Sequence, residues 1–262
     1  MNRLQTLIDR ELIKNTFAAY VAGYNPDDPK IALKIAHTYR VAALCEEIAL
    51  SLGLSDADTD LAWTIGMLHD TGRFEQVRIY HTFIDSLSES HARIGIRYLF
   101  TDNHITDYIP GITREISDII YTAVDTHSDY RLPENLDDRQ LMLCNILRDA
   151  DKIDILKVNV EATMEAIYDV TTAELKASGI TPEVFAAFRE KHAVPRALKK
   201  EPLDHMAGHA SLVFELVYPR SRSLALSQGY IFKLLSFESD NEETNKIIAE
   251  MRKAVTEFLE QE

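Results

Sequence analysis

The sequence lacks any hydrophobic run long enough to cross a membrane as a helix. Its longest apolar stretch, IALKIAHTYRVAALC, is interrupted by Lys34, His37 and Arg40, whereas a spanning helix needs about 18 consecutive apolar residues. The N-terminal segment MNRLQTLIDRELIKNTFAAY has no continuous hydrophobic centre of the kind found in secretory signals. We therefore expect a cytoplasmic protein with no membrane partner.

Cysteine is scarce, with Cys45 and Cys144 as the two examples. Each lies among apolar neighbours on a helical pattern, which is typical of buried thiols rather than of a disulfide or a metal site. We assign neither residue a role in chemistry.

Positive charge is also in short supply. The chain has 28 Lys and Arg against 42 Asp and Glu, for a net charge of -14. Because affinity for a polyanion comes largely from Lys and Arg displacing counterions, this balance argues against a nucleic-acid partner. A small anionic substrate remains compatible with the sequence if a metal ion, an arginine or a lysine supplies local positive charge.

Apolar residues recur three and four positions apart in almost every long segment, and alternating patterns are scarce, so the sequence predicts an all-α protein. No long Gly/Ser or Pro linker marks a boundary. We expect one helical domain over residues 1–262, with a core at about 30–156 and a C-terminal helical extension at about 157–262. Within the extension, helical patterns occur in VEATMEAIYDV, TPEVFAAFREKHA, MAGHASLVFELV and NEETNKIIAEMRKAVTEFLEQE.

Five successive helices of the predicted core carry polar residues on or beside their apolar faces. These residues are His37, His69 with Asp70, His91, His127 and Asp151. Each histidine alone is most simply a hydrogen-bonded core residue, but a buried carboxylate needs a cation or a set of donors. One metal centre satisfies all of these groups together, and imidazole with carboxylate suits iron, manganese, zinc, cobalt or nickel. On the last helix, Asp149 points away from Asp151, whereas Asp154 shares its face.

The doublet His69-Asp70 comes at the end of the second predicted helix, which Gly72 terminates. Neighbouring residues differ by about 100° around a helix, so we expect the backbone to turn at Gly72 and let both side chains face one cavity. The Asp70 carboxylate has two oxygens and can bridge two ions. Residues 73–89 are expected to form a loop before the helix that carries His91.

These segments resemble the HD-domain metal-dependent phosphohydrolases over roughly residues 30 to 156. The resemblance is carried by IAHTYRVAALCEEIA, by AWTIGMLHDTGR and by DADKIDIL, in that order. It implies that His37, His69, Asp70 and Asp151 hold one ion. The segments SHARIGIRYL and YTAVDTHSDYRLP resemble those with which some members hold a second ion, which implies the same for His91 and His127. The segment GRFEQVRIYHTFIDSLSESHA also resembles a group of bacterial HD proteins. This resemblance does not identify a substrate.

The resemblance implies hydrolysis of a phosphoester or phosphoanhydride of a small molecule, a nucleotide being one candidate, by water activated on one or two divalent ions. Magnesium is a further candidate for the metal. Asp70, Arg73 and Lys152 are the candidate catalytic residues, with Arg73 in place of the family's usual lysine. Arg73 and Lys152 are the candidate substrate contacts, ahead of Arg148, Arg78 and His81. Glu75 or Asp85 is a candidate acid, base or orienting group.

Two alternatives remain open from the sequence. One is an HD-fold di-iron oxygenase, which uses the same six ligands, and the other is a regulatory module that binds metal without turnover.

The pair His205 and His209 has the four-residue spacing of some zinc sites, and Asp204 adds a carboxylate. Without a clear further partner, we interpret this pair as solvated or facing another protein. The oligomeric state does not follow from the sequence.

Overall fold

A computed structural model describes residues 8–163 and 170–261. These residues form helices and contain no β-strand, which confirms the predicted all-α fold. None of the helices described is both long and apolar enough to span a bilayer. The chain divides into two compact units, Met1–Ala150 and Asp151–Glu262.

The first unit contains most of the predicted core. Its helices are α1 (Arg10–Val21), α2 (Pro29–Ser51), α3 (Asp56–Leu68), α4 (Thr71–Tyr80), α5 (His91–Ile96), α6 (Ile105–Tyr108), α7 (Arg114–Thr126) and the start of α8 (Asp138–Glu161).

Helices α2 and α3 form the main packing contact of this unit. Asp28 caps α2 by accepting from the Lys30 amide, and the Ser55 hydroxyl caps α3. A Cβ on Gly66 would lie 2.7 Å from the Cα of Ala42. The two backbones can therefore meet closely only because residue 66 is glycine, and this contact brings the His37 face of α2 against the end of α3.

The chain between Leu68 and Tyr80 differs from the prediction. Helix α3 ends at Leu68, and α4 begins at Thr71 instead of a loop. The turn occurs at Asp70, whose φ of -106° and ψ of 17° break the helix. The expectation that Gly72 ends the helix is wrong, because Gly72 lies in the first turn of α4.

Gly72 allows α4 and α5 to approach each other closely. A Cβ at this position would lie 2.0 Å from the carbonyl oxygen of His91 and 2.5 Å from the amide nitrogen of Gly95. No real Cβ contact is that short, so any larger residue would push α5 away. The glycine thus sets how closely His91 approaches Asp70.

In its described residues, the second unit contains the end of α8, two short 3-10 helices (Arg196–Leu198 and Ser211–Glu215) and further α-helices. These α-helices are α9 (Thr172–Ala177), α10 (Pro182–Arg189), α11 (Pro202–Ala210), α12 (Pro219–Gln228), α13 (Tyr230–Leu234) and α14 (Glu242–Leu259). Their core includes the edge-to-face pairs of Phe214 with Phe188 and Phe258, at centroid distances of 5.1 and 5.2 Å. The helical pattern predicted in VEATMEAIYDV falls partly on residues 164–169, outside the described residues.

Candidate metal centre

The first unit brings together the five predicted metal ligands that it contains. His37 comes from α2, His69 and Asp70 from the break between α3 and α4, His91 from the start of α5, and His127 from the residue that follows α7. All five are buried, with 0 to 6% of each residue exposed. Two groups among them have ligand atoms close enough to hold an ion: His37, His69 and Asp70, and Asp70, His91 and His127.

The Asp70 carboxylate lies at the centre of this cluster. Its Oδ2 is 3.4 Å from Nε2 of His37 and 3.4 Å from Nε2 of His69. Its Oδ1 is 3.6 Å from Nε2 of His91 and 3.8 Å from Nε2 of His127. Each carboxylate oxygen therefore faces two imidazoles, which is the arrangement that a bridging aspartate requires.

Three of the imidazoles are oriented by hydrogen bonds on the far side of the ring. Nδ1 of His69 donates to the carbonyl of Gly66 and Nδ1 of His127 to the carbonyl of Val124, each at 2.7 Å. Nδ1 of His91 contacts the Asp85 carboxylate at 2.8 Å. Because carbonyl and carboxylate oxygens accept, Nδ1 carries the proton in each ring, and in the neutral ring Nε2 presents its lone pair to Asp70.

This orientation brings several electron-rich atoms together. Nε2 of His91 lies 2.9 Å from Nε2 of His127, and both rings face the same carboxylate oxygen. Lone pairs at that distance repel each other unless a cation lies near them. Two ligands at about 2.0–2.2 Å from one ion can be up to about 4.4 Å apart, so every distance from Nε2 to Asp70 is compatible with a shared ion. The donor set thus fits a divalent transition metal.

Lys34 is a member of the cluster that the sequence motifs do not indicate. It lies one turn before His37 on α2, and its Nζ donates to Asp70 Oδ2 at 2.6 Å. Burial of the Asp70 carboxyl would raise its pKa, but the positive charge of Lys34 lowers the pKa well below its ordinary value. The spacing of three residues from His37 was a usable signal, since it places both residues on one helix face.

Arg73 and Asp85 form a second layer beside His91. Nη1 of Arg73 donates to Gln76 Oε1 at 2.7 Å, to the carbonyl of Phe83 at 2.7 Å and to Asp85 Oδ1 at 3.0 Å. Burial opposes ionisation of Asp85, but its contacts with His91 and Arg73 lower its pKa. Asp85 therefore lies where an orienting group is needed. That Arg73 contacts substrate stays a prediction.

The pKa of His91 is lowered to about 4, first by burial and then by repulsion from Arg73, against the opposing effect of Asp85. A neutral imidazole is the form that binds a metal. The environment of His91 therefore favours the ligand form at neutral pH.

Arg148 stabilises the end of α7. Its Nη1 donates to the carbonyls of Thr126, His127 and Asp129 at 3.0, 3.1 and 2.6 Å. These carbonyls are among the terminal acceptors that a helix leaves without partners. The contacts give Arg148 a role in holding His127, whereas Arg78 is exposed and pairs with Glu75.

Asp151 and Lys152 lie in the second unit, on the continuation of α8. Both are half-buried, whereas Asp149 and Asp154 are buried. The assignments of Asp151 as a ligand and of Lys152 as a substrate contact remain predictions from the sequence.

The other candidates have local roles. Cys45 and Cys144 are buried and free, as expected. Asp204 is fully buried and accepts from the backbone amides of Thr181, Lys200 and Glu201, each at 2.8 Å. His209 Nδ1 contacts Asn159 Oδ1 at 2.7 Å. Backbone donors thus occupy the oxygens of Asp204. His205 is exposed and His209 is half-buried, and the interpretation of this pair as solvated or facing another protein stays a prediction.

Comparison with protein families identifies an HD domain at residues 35–156. The chain thus contains an HD domain, which confirms the family resemblance on its three ordered segments, and HD domains belong to a superfamily of metal-dependent hydrolases. No curated protein and no solved structure is significantly similar to the chain.

Proposed function

We propose that the protein is a metal-dependent phosphohydrolase that cleaves a phosphoester or phosphoanhydride of a small molecule. The observation that carries this proposal is the Asp70 carboxylate with two buried imidazoles facing each of its oxygens. Most HD domains are phosphohydrolases, which favours this chemistry over oxygen activation or metal binding without turnover.

The proposed ligands are His37, His69 and Asp70 for one ion, completed by Asp151, and Asp70, His91 and His127 for a second. A divalent ion supplies Lewis acidity, which activates water near neutral pH and neutralises charge on a phosphoryl oxygen. The chain's own contribution is to fix the ligands. Gly66, Val124 and Asp85 hold the Nδ1 protons of three histidines, so that three Nε2 atoms stay turned toward Asp70.

Replacing Asp70 by alanine tests the proposal most directly. Asp70→Ala removes the one group shared by both ligand sets, so we expect metal content to fall and phosphate release to drop by more than about 1000-fold. Elemental analysis of the purified protein gives the metal. A phosphate-release screen across nucleotides and sugar phosphates, with that metal restored, gives the substrate class.

A suitable control is Asp27→Ala, which removes an exposed acid of the same unit and should change neither readout. Full activity in Asp70→Ala would contradict the proposal. So would a metal-loaded wild-type protein that releases no phosphate from any ester in the screen.

A further inference from the structure

Three cations surround the ring of Phe83 beside the Asp70 cluster. Nζ of Lys30, Nζ of Lys34 and the guanidinium carbon of Arg73 lie 5.9, 5.6 and 5.8 Å from its centroid. In a chain with a net charge of -14, this is a local concentration of positive charge. An aromatic face attracts cations by its quadrupole, so Phe83 holds these groups next to the candidate metal centre.

Two of the three cations donate hydrogen bonds to backbone carbonyls at or near Phe83. Lys30 Nζ donates to the carbonyl of His81 at 2.8 Å, and Arg73 Nη1 donates to the carbonyl of Phe83 at 2.7 Å. Lys34 differs, because its hydrogen bond within the described part of the chain goes to Asp70 Oδ2. Lys30 and Arg73 therefore anchor the segment. Arg73 Nε also lies 3.6 Å from Asp70 Oδ1, whereas Lys34 contacts Oδ2, the oxygen that faces His37 and His69.

A divalent ion would compete with Lys34 for the same atom. Asp70 Oδ2, which Lys34 contacts at 2.6 Å, is also the oxygen that faces His37 and His69. Two cations on one carboxylate oxygen repel each other, and a lysine ammonium is a compact charge on a flexible stem. With an ion bound, the ammonium is drawn to the nearest other anion while Phe83 keeps it beside the site.

We propose that Lys34 binds an oxygen of the substrate's phosphoryl group next to the His37, His69 and Asp70 ligands, and that Lys30 and Arg73 position the segment carrying Phe83. This inference rests on the proposed function. It assigns the phosphoryl contact to a residue of α2 that the sequence motifs do not single out.

The experiment measures binding of inorganic phosphate to the metal-loaded protein by calorimetry, with metal content determined in parallel. Lys34→Met keeps the apolar stem against Phe83 and removes the charge. We expect its phosphate affinity to fall by about 10- to 100-fold, the effect of losing one hydrogen bond to a charged group, with metal content unchanged. Lys34→Arg keeps the charge and should retain most of the affinity.

Lys14→Met is the matched control. Lys14 also lies over an aromatic ring of the first unit, at 5.9 Å from Trp63, and it pairs with Glu11. Its loss should leave phosphate affinity unchanged. The proposal is overturned if Lys34→Met binds phosphate like the wild type, if Lys14→Met weakens binding equally, or if Lys34→Met loses its metal, since Lys34 would then serve only to hold Asp70.

Failure of this inference and failure of the proposed function give different results. A wild-type protein that hydrolyses a phosphoester while Lys34→Met keeps its phosphate affinity retains the function and loses the role of Lys34. A protein that binds phosphate through Lys34 but hydrolyses nothing retains the contact and loses the function.

Discussion

Asp70 in the first unit and Asp204 in the second are both buried carboxylates, and they are satisfied in different ways. Asp204 in the second unit is 0% exposed and accepts from three backbone amides and the Thr181 hydroxyl. Asp70 in the first unit is 2% exposed and faces side chains, namely the imidazoles, Lys34 and Arg73. Backbone donors cannot be exchanged for a ligand without unfolding, whereas side chains can. The comparison assigns Asp204 a structural role, and it leaves Asp70 with contacts that a ligand can replace.

The largest expected difference is in the free energy of unfolding after removal of one or the other carboxylate. Asp204→Ala leaves several buried donors without an acceptor, so we expect the free energy of unfolding to fall by about 3–5 kcal/mol. In metal-free protein, Asp70→Ala should cost less than about 2 kcal/mol, since groups gathered for function commonly oppose stability. Urea unfolding in the presence of a chelator measures both.

Asp204→Asn adds a control. Because the amide keeps one acceptor oxygen, its free energy of unfolding should fall by an intermediate amount. The comparison would fail if Asp70→Ala unfolded at a lower urea concentration than Asp204→Ala in the absence of metal.

The second test concerns the packing on which the Asp70 cluster depends. Gly72→Ala places a Cβ against the carbonyl of His91, and backbone atoms cannot yield as a flexible side chain does. We expect a loss of about 3 kcal/mol in the free energy of unfolding, together with a lower metal content as α5 carries His91 away from Asp70. Urea unfolding and elemental analysis measure the two effects.

Gly95→Ala provides the matched control at the same helix contact. Its Cβ would meet the Thr71 hydroxyl at 3.2 Å and the Gly72 amide nitrogen at 3.3 Å, which small shifts can relieve. We expect its stability to stay within about 1 kcal/mol of the wild type. Equal losses in both variants would mean that Gly72 has no special part in placing His91.

The sequence was sufficient for the parts of the site that depend on local pattern. Asp28 and Ser55 cap their helices, and the apolar stripe of α2 places His37 in the core. The doublet His69-Asp70 is evident in the sequence because metal-binding residue types follow an apolar helix. Such signals are local, so they can be interpreted without knowledge of the fold.

The errors concern contacts between elements that are distant along the chain. Gly72 looks like a helix stop, because a sequence does not distinguish a glycine that turns the chain from one that admits another backbone. The pattern therefore predicts a loop at residues 73–89, whereas residues 73–80 belong to α4. Lys34 looks like a solvent-facing interruption of an apolar helix, and only the approach of Asp70 at 2.6 Å gives it a role.

The smallest expected effect concerns Lys199, a lysine of the second unit that is attracted by Asp204. Lys199 is half-buried, and its pKa is lowered to about 8, first by burial and then by repulsion from Arg196, against attraction from Asp204. Asp204 offers only partial compensation because backbone amides occupy its oxygens. Because the folded-state pKa lies below the unfolded value of about 10.5, the charged amine lowers the free energy of unfolding by its full amount below pH 8. That cost is relieved as the pH rises from 8 to 10.5.

Lys199→Met should therefore have a free energy of unfolding higher by about 1 kcal/mol or less at pH 7, and it should lose this part of the pH dependence. Urea midpoints of both proteins between pH 7 and 10.5 measure it, and parallel curves would show that Asp204 fully compensates the charge of Lys199.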